Sequence, residues 1–345
     1  MRFTRRLFVV CAVSLLTSIT AFTAGCGETT PEAGNASGAP SAGASPATSG
    51  ETPKELVLGF TPAAEATKVG DYAKPLAEHL GKELGIPVKT FTSTDYSGLV
   101  EAMGSGKVDI GAVPPLAYVL ASDQQAAKVI LKVQRKDKTT GKPTLTYRAM
   151  FVAKAGSGIK KIEDAKGKRM AFVDPSSTSG YLFPAAYLKA KGYDPESFFS
   201  QLIYAGSHDR AVQSVYNGDV DVAACYDDVR DLLVKNGVKD AKEKVVIVEY
   251  TGEIPNDTIS VRANMDEALT NRIKSILIAY AKTEEGKKTL DNLYQAVDLV
   301  EAQDSDYDSV REVAKSMDVQ LSMFSKDKKP ASGAPSPAPS AAKAP

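Results

Sequence analysis

Two stretches of this chain echo each other: Gly106-Lys107-Val108-Asp109-Ile110-Gly111-Ala112 and Gly218-Asp219-Val220-Asp221-Val222-Ala223-Ala224. Each follows a helical pattern and ends in a short apolar strand. The run around the first reads as strand 56–60, helix 69–84, strand 87–91, helix 96–103 and strand 108–113. Pro114 and Pro115 then open a helix at its first turn. In helix 69–84, Ala73, Leu76, Ala77, Leu80 and Leu84 share one face and Gly85 follows the end. The second run reads as strand 169–173, helix 180–191, strand 201–204, helix 208–217, strand 220–225, helix 227–236 and strand 245–248. Between the runs lie a strand at 128–134, a turn around Gly141-Lys142-Pro143 and a strand at 147–152. Helices at 264–282, 284–294 and 305–317 close the chain, expected against the first lobe. Alternation of this kind implies an α/β fold with largely parallel sheets. Its repetition implies two similar lobes, for which 345 residues suffice.

Charge narrows the partners. The chain has no formal net charge, which points away from nucleic acid. Three arginines precede residue 27, three glutamates lie in 27–53 and the tail from 326 is basic, leaving about −3 on residues 54–325. An anion held by this core would rely on local dipoles rather than a basic field. The cysteines are Cys11, Cys26 and Cys225, so no disulfide framework is expected in the core. With no CxxC and no Cys/His cluster, no metal site and no cofactor are expected.

The stretch richest in chemistry is Asp174-Pro175-Ser176-Ser177-Thr178-Ser179-Gly180. It joins the apolar strand 169–173 to a helical pattern from Tyr181. A helix start offers free backbone N–H groups and the positive end of the helix dipole. Ser177, Thr178 and Ser179 add three hydroxyl donors, a combination suited to a tetrahedral oxyanion without any Lys or Arg. A helix cap alone needs one hydroxyl, not three.

Residues 1–26 have the marks of an export signal: Arg2, Arg5 and Arg6, then an apolar run from Leu7 to Ala21 too short for a comfortable membrane span. Thr23-Ala24-Gly25-Cys26 resembles a bacterial lipobox, with Thr23 in place of the usual large aliphatic residue; the resemblance implies cleavage before Cys26 and its acylation. Thr4-Arg5-Arg6-Leu7-Phe8-Val9 resembles a twin-arginine motif, and both export routes stay open. Residues 27–53 are Gly, Ala, Ser, Pro and Thr with almost no large apolar side chains, a disordered tether spanning on the order of 30 Å. Residues 324–345 form a similar tail.

The core 54–323 resembles the phosphate/phosphite/phosphonate-binding proteins of ABC importers. The resemblance rests on Thr94-Asp95-Tyr96, Val108-Asp109-Ile110, the 174–180 loop, Gly206-Ser207-His208-Asp209, Gly218-Asp219-Val220-Asp221, Tyr226-Asp227-Asp228 and Ile254-Pro255-Asn256-Asp257. It implies a type II periplasmic-binding-protein clamshell: two α/β lobes joined by a two-strand hinge near 148–155 and 250–260. Lobe 1 would comprise 54–150 plus 256–323, and lobe 2 would comprise 151–255. It further implies that Ser177, Thr178, Ser179 and His208 hold the ligand's oxygens and that Tyr96 and Tyr147 face them. One acid from Asp227 or Asp228 and a second at Asp257 complete the set. A carboxylate only accepts, so it demands a donor from the ligand: a P–OH or an ammonium group. Sulfate at neutral pH offers none. The implied partners are a phosphorus oxyanion, ABC permease subunits and a membrane holding the lipid anchor, with the protein a monomer that carries out no reaction.

Residue by residue, plainer readings exist. Asp227 and Asp228 suit the first turn of a helix, Asp257 suits a turn, and Tyr96 and Tyr147 suit a core. Two rival functions share these residues. One is a membrane-tethered sensor with the same lobes. The other is a hydrolase using Ser179, His208 and Asp257, against which stand the missing G-x-S-x-G elbow and an unfamiliar triad order.

Overall fold

The computed structural model describes residues 53–318 except Glu65. The expected export signal with Cys26, the tether up to residue 52 and the tail 324–345 lie outside the described residues. The first lobe opens with β1 (Leu56–Phe60), α1 (Ala66–Leu84), β2 (Val88–Thr92), α2 (Tyr96–Gly104), β3 (Ile110–Val113), α3 (Pro115–Asp123), β4 (Ala127–Lys136) and β5 (Pro143–Thr144). The chain crosses on β6 (Thr146–Lys154) into β7 (Arg169–Phe172), α4 (Phe183–Ala190), α5 (Pro195–Phe198), β8 (Gln201–Tyr204), α6 (His208–Asn217), β9 (Val222–Tyr226), α7 (Arg230–Lys235) and α8 (Ala241–Lys244). It returns on β10 (Val245–Pro255) and ends with β11 (Thr258–Arg262), α9 (Glu267–Lys282), α10 (Glu284–Tyr294), β12 (Ala296–Glu301) and α11 (Asp308–Ser316).

Two sheets result. One runs β12-β4-β11-β3-β1-β2 with β5 beside β4, and the other runs β10-β6-β9-β7-β8. Each mixes parallel and antiparallel pairs. β1 is parallel to β2 and β3, while β11 runs antiparallel to both β3 and β4. β7 is parallel to β8 and β9, while β6 runs antiparallel to β9 and β10. This departs from the largely parallel sheets expected. Helical crossovers return a chain in the same direction, but β6, β10 and β11 enter their sheets from the hinge. Neither β11 nor β12 is foreseen in the sequence reading.

β6 and β10 pair along their lengths, from Lys154 with Val245 to Thr146 with Pro255. The sheets therefore exchange chain at 144–146 and 255–258. Residues 146–150, grouped with lobe 1 in the sequence reading, bond within the second sheet. The hinge end of this ribbon is buried: Tyr147 and Ile254 pack in one cluster with Val113, Leu116 and Tyr307.

The cores follow the apolar periodicities. The stripe of α1 (Ala73, Leu76, Ala77, Leu80, Leu84) packs with Leu56, Leu58 and Phe60 of β1 and with Ile273 and Leu277 of α9. Burial of each such Leu stabilises by about 1.5–3 kcal/mol. In the second lobe Val152, Ala171, Val212, Val215 and Cys225 form an equivalent layer. α9 and α10 cover the first lobe as expected. α11 does more: its Val310 and Ala314 share a cluster with α3 and with Leu182 and Phe183 of the second lobe, so it joins the two.

Candidate functional site

The lobes face each other across a cavity of about 100 Å³, room for several water molecules. Tyr96, Tyr147, Ser177, Thr178, Ser179, His208 and Asp257 all line it. Pro114, Arg135, Tyr226 and Tyr294 join them.

The hydroxyl loop is shaped by one close approach. A Cβ on Gly180 would lie 2.4 Å from the Cβ of Val173, so only glycine lets the loop fold back on the strand. The Ser177 hydroxyl oxygen accepts the Gly180 N–H at 3.0 Å, and a π-helical turn, Thr178–Leu182, leads into α4. Capping therefore occupies one hydroxyl. Thr178 Oγ1 accepts the Leu116 N–H at 2.8 Å. That donor belongs to the first turn of α3, where it has no partner within the helix. Ser179 stands against the Tyr147 phenol. Each hydroxyl oxygen that accepts here still carries its own O–H to donate.

Tyr96 is the first residue of α2, whose cap Asp95 accepts the Gly98 N–H at 2.7 Å. Its ring is fully buried among second-lobe residues including Val173 and Val229. Burial pushes the phenols of Tyr96, Tyr147, Tyr226 and Tyr294 up, so all four remain O–H donors at neutral pH. The Tyr96 and Tyr294 hydroxyls are buried without a hydrogen-bond partner; Ser177 lies near Tyr96 but outside bonding geometry.

His208 begins α6. Its backbone N–H donates to Ala63 in the other lobe at 3.2 Å. Its Nδ1 accepts the Tyr226 N–H at 3.3 Å, which leaves the proton on Nε2. Burial first, and Arg135 second, push the imidazole down to about 3. The ring is neutral at pH 7 and presents a donor. This arrangement does not fit a triad, in which an acid would accept from Nδ1.

Arg135 is the residue the sequence reading lacks, and it overturns the expectation of a site without Lys or Arg. It is the next-to-last residue of the amphipathic strand β4, among Lys132, Lys136 and Lys138, where a charge run reads as solvated. In the fold its Nη2 donates to Asp257 Oδ2 at 2.5 Å. Its guanidinium lies 4.9 Å from the Tyr147 ring centroid and 5.7 Å from that of Tyr226. Its Nε is buried without a partner. Burial pushes the Asp257 carboxyl up, and Arg135 opposes this.

Asp227 and Asp228 require a correction: neither lines this cavity. Asp228 is held by Arg230 through two bonds of 2.8 and 2.7 Å, and Lys242 stands 3.8 Å away. Asp227 lines a smaller adjoining hollow with Arg148, which lies 3.7 Å from it. Tyr226, the last residue of β9, is in the lining instead. Among the described residues, no group of three or more His, Cys, Asp or Glu is placed to hold a metal ion.

At the mouth, charged side chains meet across the cleft. Lys235 lies 3.0 Å from Asp291, and Lys138 lies 3.3 Å from Asp231. Both pairs are substantially exposed and contribute little individually.

Two α/β lobes, a two-strand ribbon between them and a cleft of converging donors define a clamshell solute receptor. The family model for the periplasmic substrate-binding protein of phosphonate ABC transporters matches residues 58–307, and the chain belongs to that family. It is 31% identical over 253 residues to the phosphonates-binding periplasmic protein of Escherichia coli, covering 72% of this chain and 73% of that one. It is 28% identical over 278 residues to the phosphate-import protein PhnD of Mycolicibacterium smegmatis, covering 76% and 85%. Among solved structures, a binding component of a Pseudomonas aeruginosa ABC phosphonate transporter superposes with a TM-score of 0.70 at 23% identity, covering 80% and 90%. PhnD1 of Prochlorococcus marinus, solved in complex with methylphosphonate, gives 0.67 at 22%, covering 77% and 99%.

Proposed function

We propose that this protein captures a phosphorus oxyanion in the cleft and delivers it to an ABC permease, without chemical change to the ligand. The observation that carries the reading is the convergence of donors on one cavity. The hydroxyls of Ser177, Thr178 and Ser179, the His208 Nε2–H, four tyrosine O–H groups and the Arg135 Nε–H all belong to its lining. Three of these donors, on Tyr96, Arg135 and Tyr294, have no protein partner. Buried donors without partners cost about 1–3 kcal/mol each, and an oxyanion relieves that cost. The names of the relatives support a phosphorus ligand: phosphonates in one, phosphate in another. Membership in a periplasmic family supports export, and the lipobox-like Cys26 supports acylation of the mature N-terminus. Tyr96, Tyr147, Ser177, Thr178, Ser179, His208 and Asp257 are the proposed ligand contacts, with Arg135 added. In this reading the mature protein is a monomer anchored by lipid.

The test is thermal unfolding with phosphate, phosphite, methylphosphonate or sulfate. A ligand at a hundred times its Kd stabilises by about 2.7 kcal/mol, a shift of roughly 5–10 °C for a chain of this size. The reading predicts such a shift with at least one phosphorus compound. No shift with any of them refutes it.

A further inference from the structure

Resting on the phosphorus-oxyanion reading, we propose that the Arg135–Asp257 pair makes the site selective for phosphorus oxyanions without a cationic substituent, excluding aminophosphonates. An ammonium group entering the cavity is best compensated by a free carboxylate or an open aromatic face. Two acids line the cavity, and each is already opposite a cation: Asp257 meets Arg135 at 2.5 Å and Asp291 meets Lys235 at 3.0 Å. The two rings beside Asp257's partner are occupied as well. Tyr147 and Tyr226, whose faces would hold an ammonium group, lie 4.9 and 5.7 Å from the same guanidinium. Lys68 is a further cation in the lining. Asp257 therefore serves to hold Arg135, and Arg135 meets the ligand as a positive group with a spare Nε–H. A second positive charge about 5 Å from that guanidinium is repelled by it, and the Asp257 carboxylate behind offsets part of this, leaving a penalty of about tenfold at an effective dielectric constant near 20.

The experiment is calorimetric titration of the purified protein with ethylphosphonate and aminomethylphosphonate, which share a heavy-atom count and differ by the ammonium group. Phosphate and methylphosphonate serve as references. The wild-type protein is expected to bind ethylphosphonate more than tenfold more tightly than aminomethylphosphonate. Arg135→Met, which releases Asp257, is expected to bring the two within tenfold, and Arg135→Lys to keep the gap. Wild-type affinities within tenfold of each other overturn the inference and leave the oxyanion reading standing. So does a wild-type gap that Arg135→Met leaves unchanged. Binding of neither substituted ligand, with phosphate bound, overturns it in favour of selection by size. Binding of none of the four overturns the oxyanion reading itself. Should Arg135→Met fail to fold, the wild-type ratio and Arg135→Lys decide.

Discussion

Thr178→Val removes one acceptor from the lobe interface while nearly preserving side-chain volume. Thr178 Oγ1 is the partner of the Leu116 N–H, in a buried bond between the lobes that exists only while they are in contact. Valine leaves that N–H unpaired, at a cost of about 1–3 kcal/mol. The cost falls on the closed form alone, because opening the cleft exposes the first turn of α3 to water. At 1.4 kcal/mol per factor of ten, the closed-to-open equilibrium constant drops by about 5–150-fold, and the apparent affinity of a ligand that binds the closed form drops by up to that factor. Titration with the best phosphorus ligand reads the affinity. Small-angle scattering of the ligand-free protein reads the lobe equilibrium separately. The expected result is weaker binding together with a more open scattering profile, both restored by Thr178→Ser. Affinity within twofold of wild type refutes the argument. Weaker binding with an unchanged ligand-free profile also refutes the latch and leaves Thr178 as a ligand contact only.

Asp228→Asn removes the carboxylate that holds Arg230 and is expected to lower stability by about 2–3 kcal/mol in denaturant melts. Ligand affinity of the folded protein is expected to stay within a few-fold; a large loss would return Asp228 to the binding site. His208 sets a pH dependence. Its folded pKa of about 3 lies below the unfolded value near 6.5, so the unfolded state binds a proton that the native state refuses. Stability from this group is present above pH 6.5 and is lost as pH falls toward 3. The buried carboxyls of Asp174, Asp227 and Asp257 are shifted upward and act in the opposite direction. The difference between wild type and His208→Asn isolates the histidine, at about 1.4 kcal/mol per pH unit between pH 6 and 4. Parallel stability curves would show that the imidazole is not buried in neutral form.

Much of the site was legible because its chemistry is local. The three hydroxyls after Asp174, with Gly180 behind them, announce a helix start crowded with donors, and they line the cavity. His208 stands at another helix start, again visible from Gly206-Ser207. Arg135 was not legible, because its meaning depends on a contact 122 residues away in sequence. In isolation it is one more base near the end of a strand. Only when β11 enters beside β4, with Thr258 opposite Lys132, does Asp257 reach it. β11 itself was missed for a related reason. Thr258-Ile259-Ser260-Val261-Arg262 alternates polar and apolar residues, but the run is short and follows Pro255-Asn256-Asp257, which reads as a turn, and its pairing partners β3 and β4 lie far back in the chain. The Asp227–Asp228 expectation failed through backbone geometry. The segment after β9 forms a turn before α7 begins at Arg230, and the turn directs one carboxylate to Arg230 and the other to Arg148.

The return of β11 has a consequence for biogenesis. All strands of the second sheet come from one continuous stretch, 146–255, so that lobe has its full complement as soon as this stretch is available. The first sheet does not. β3 and β4 are separated by a gap that only residues 258–262 fill, and these emerge after the whole second lobe. Until then the exported chain carries one complete domain and one with two unpaired interior strand edges, the surfaces most prone to wrong pairing. Chain termination shortly before residue 258 would yield a product whose second lobe folds normally and whose first lobe is held open at its centre.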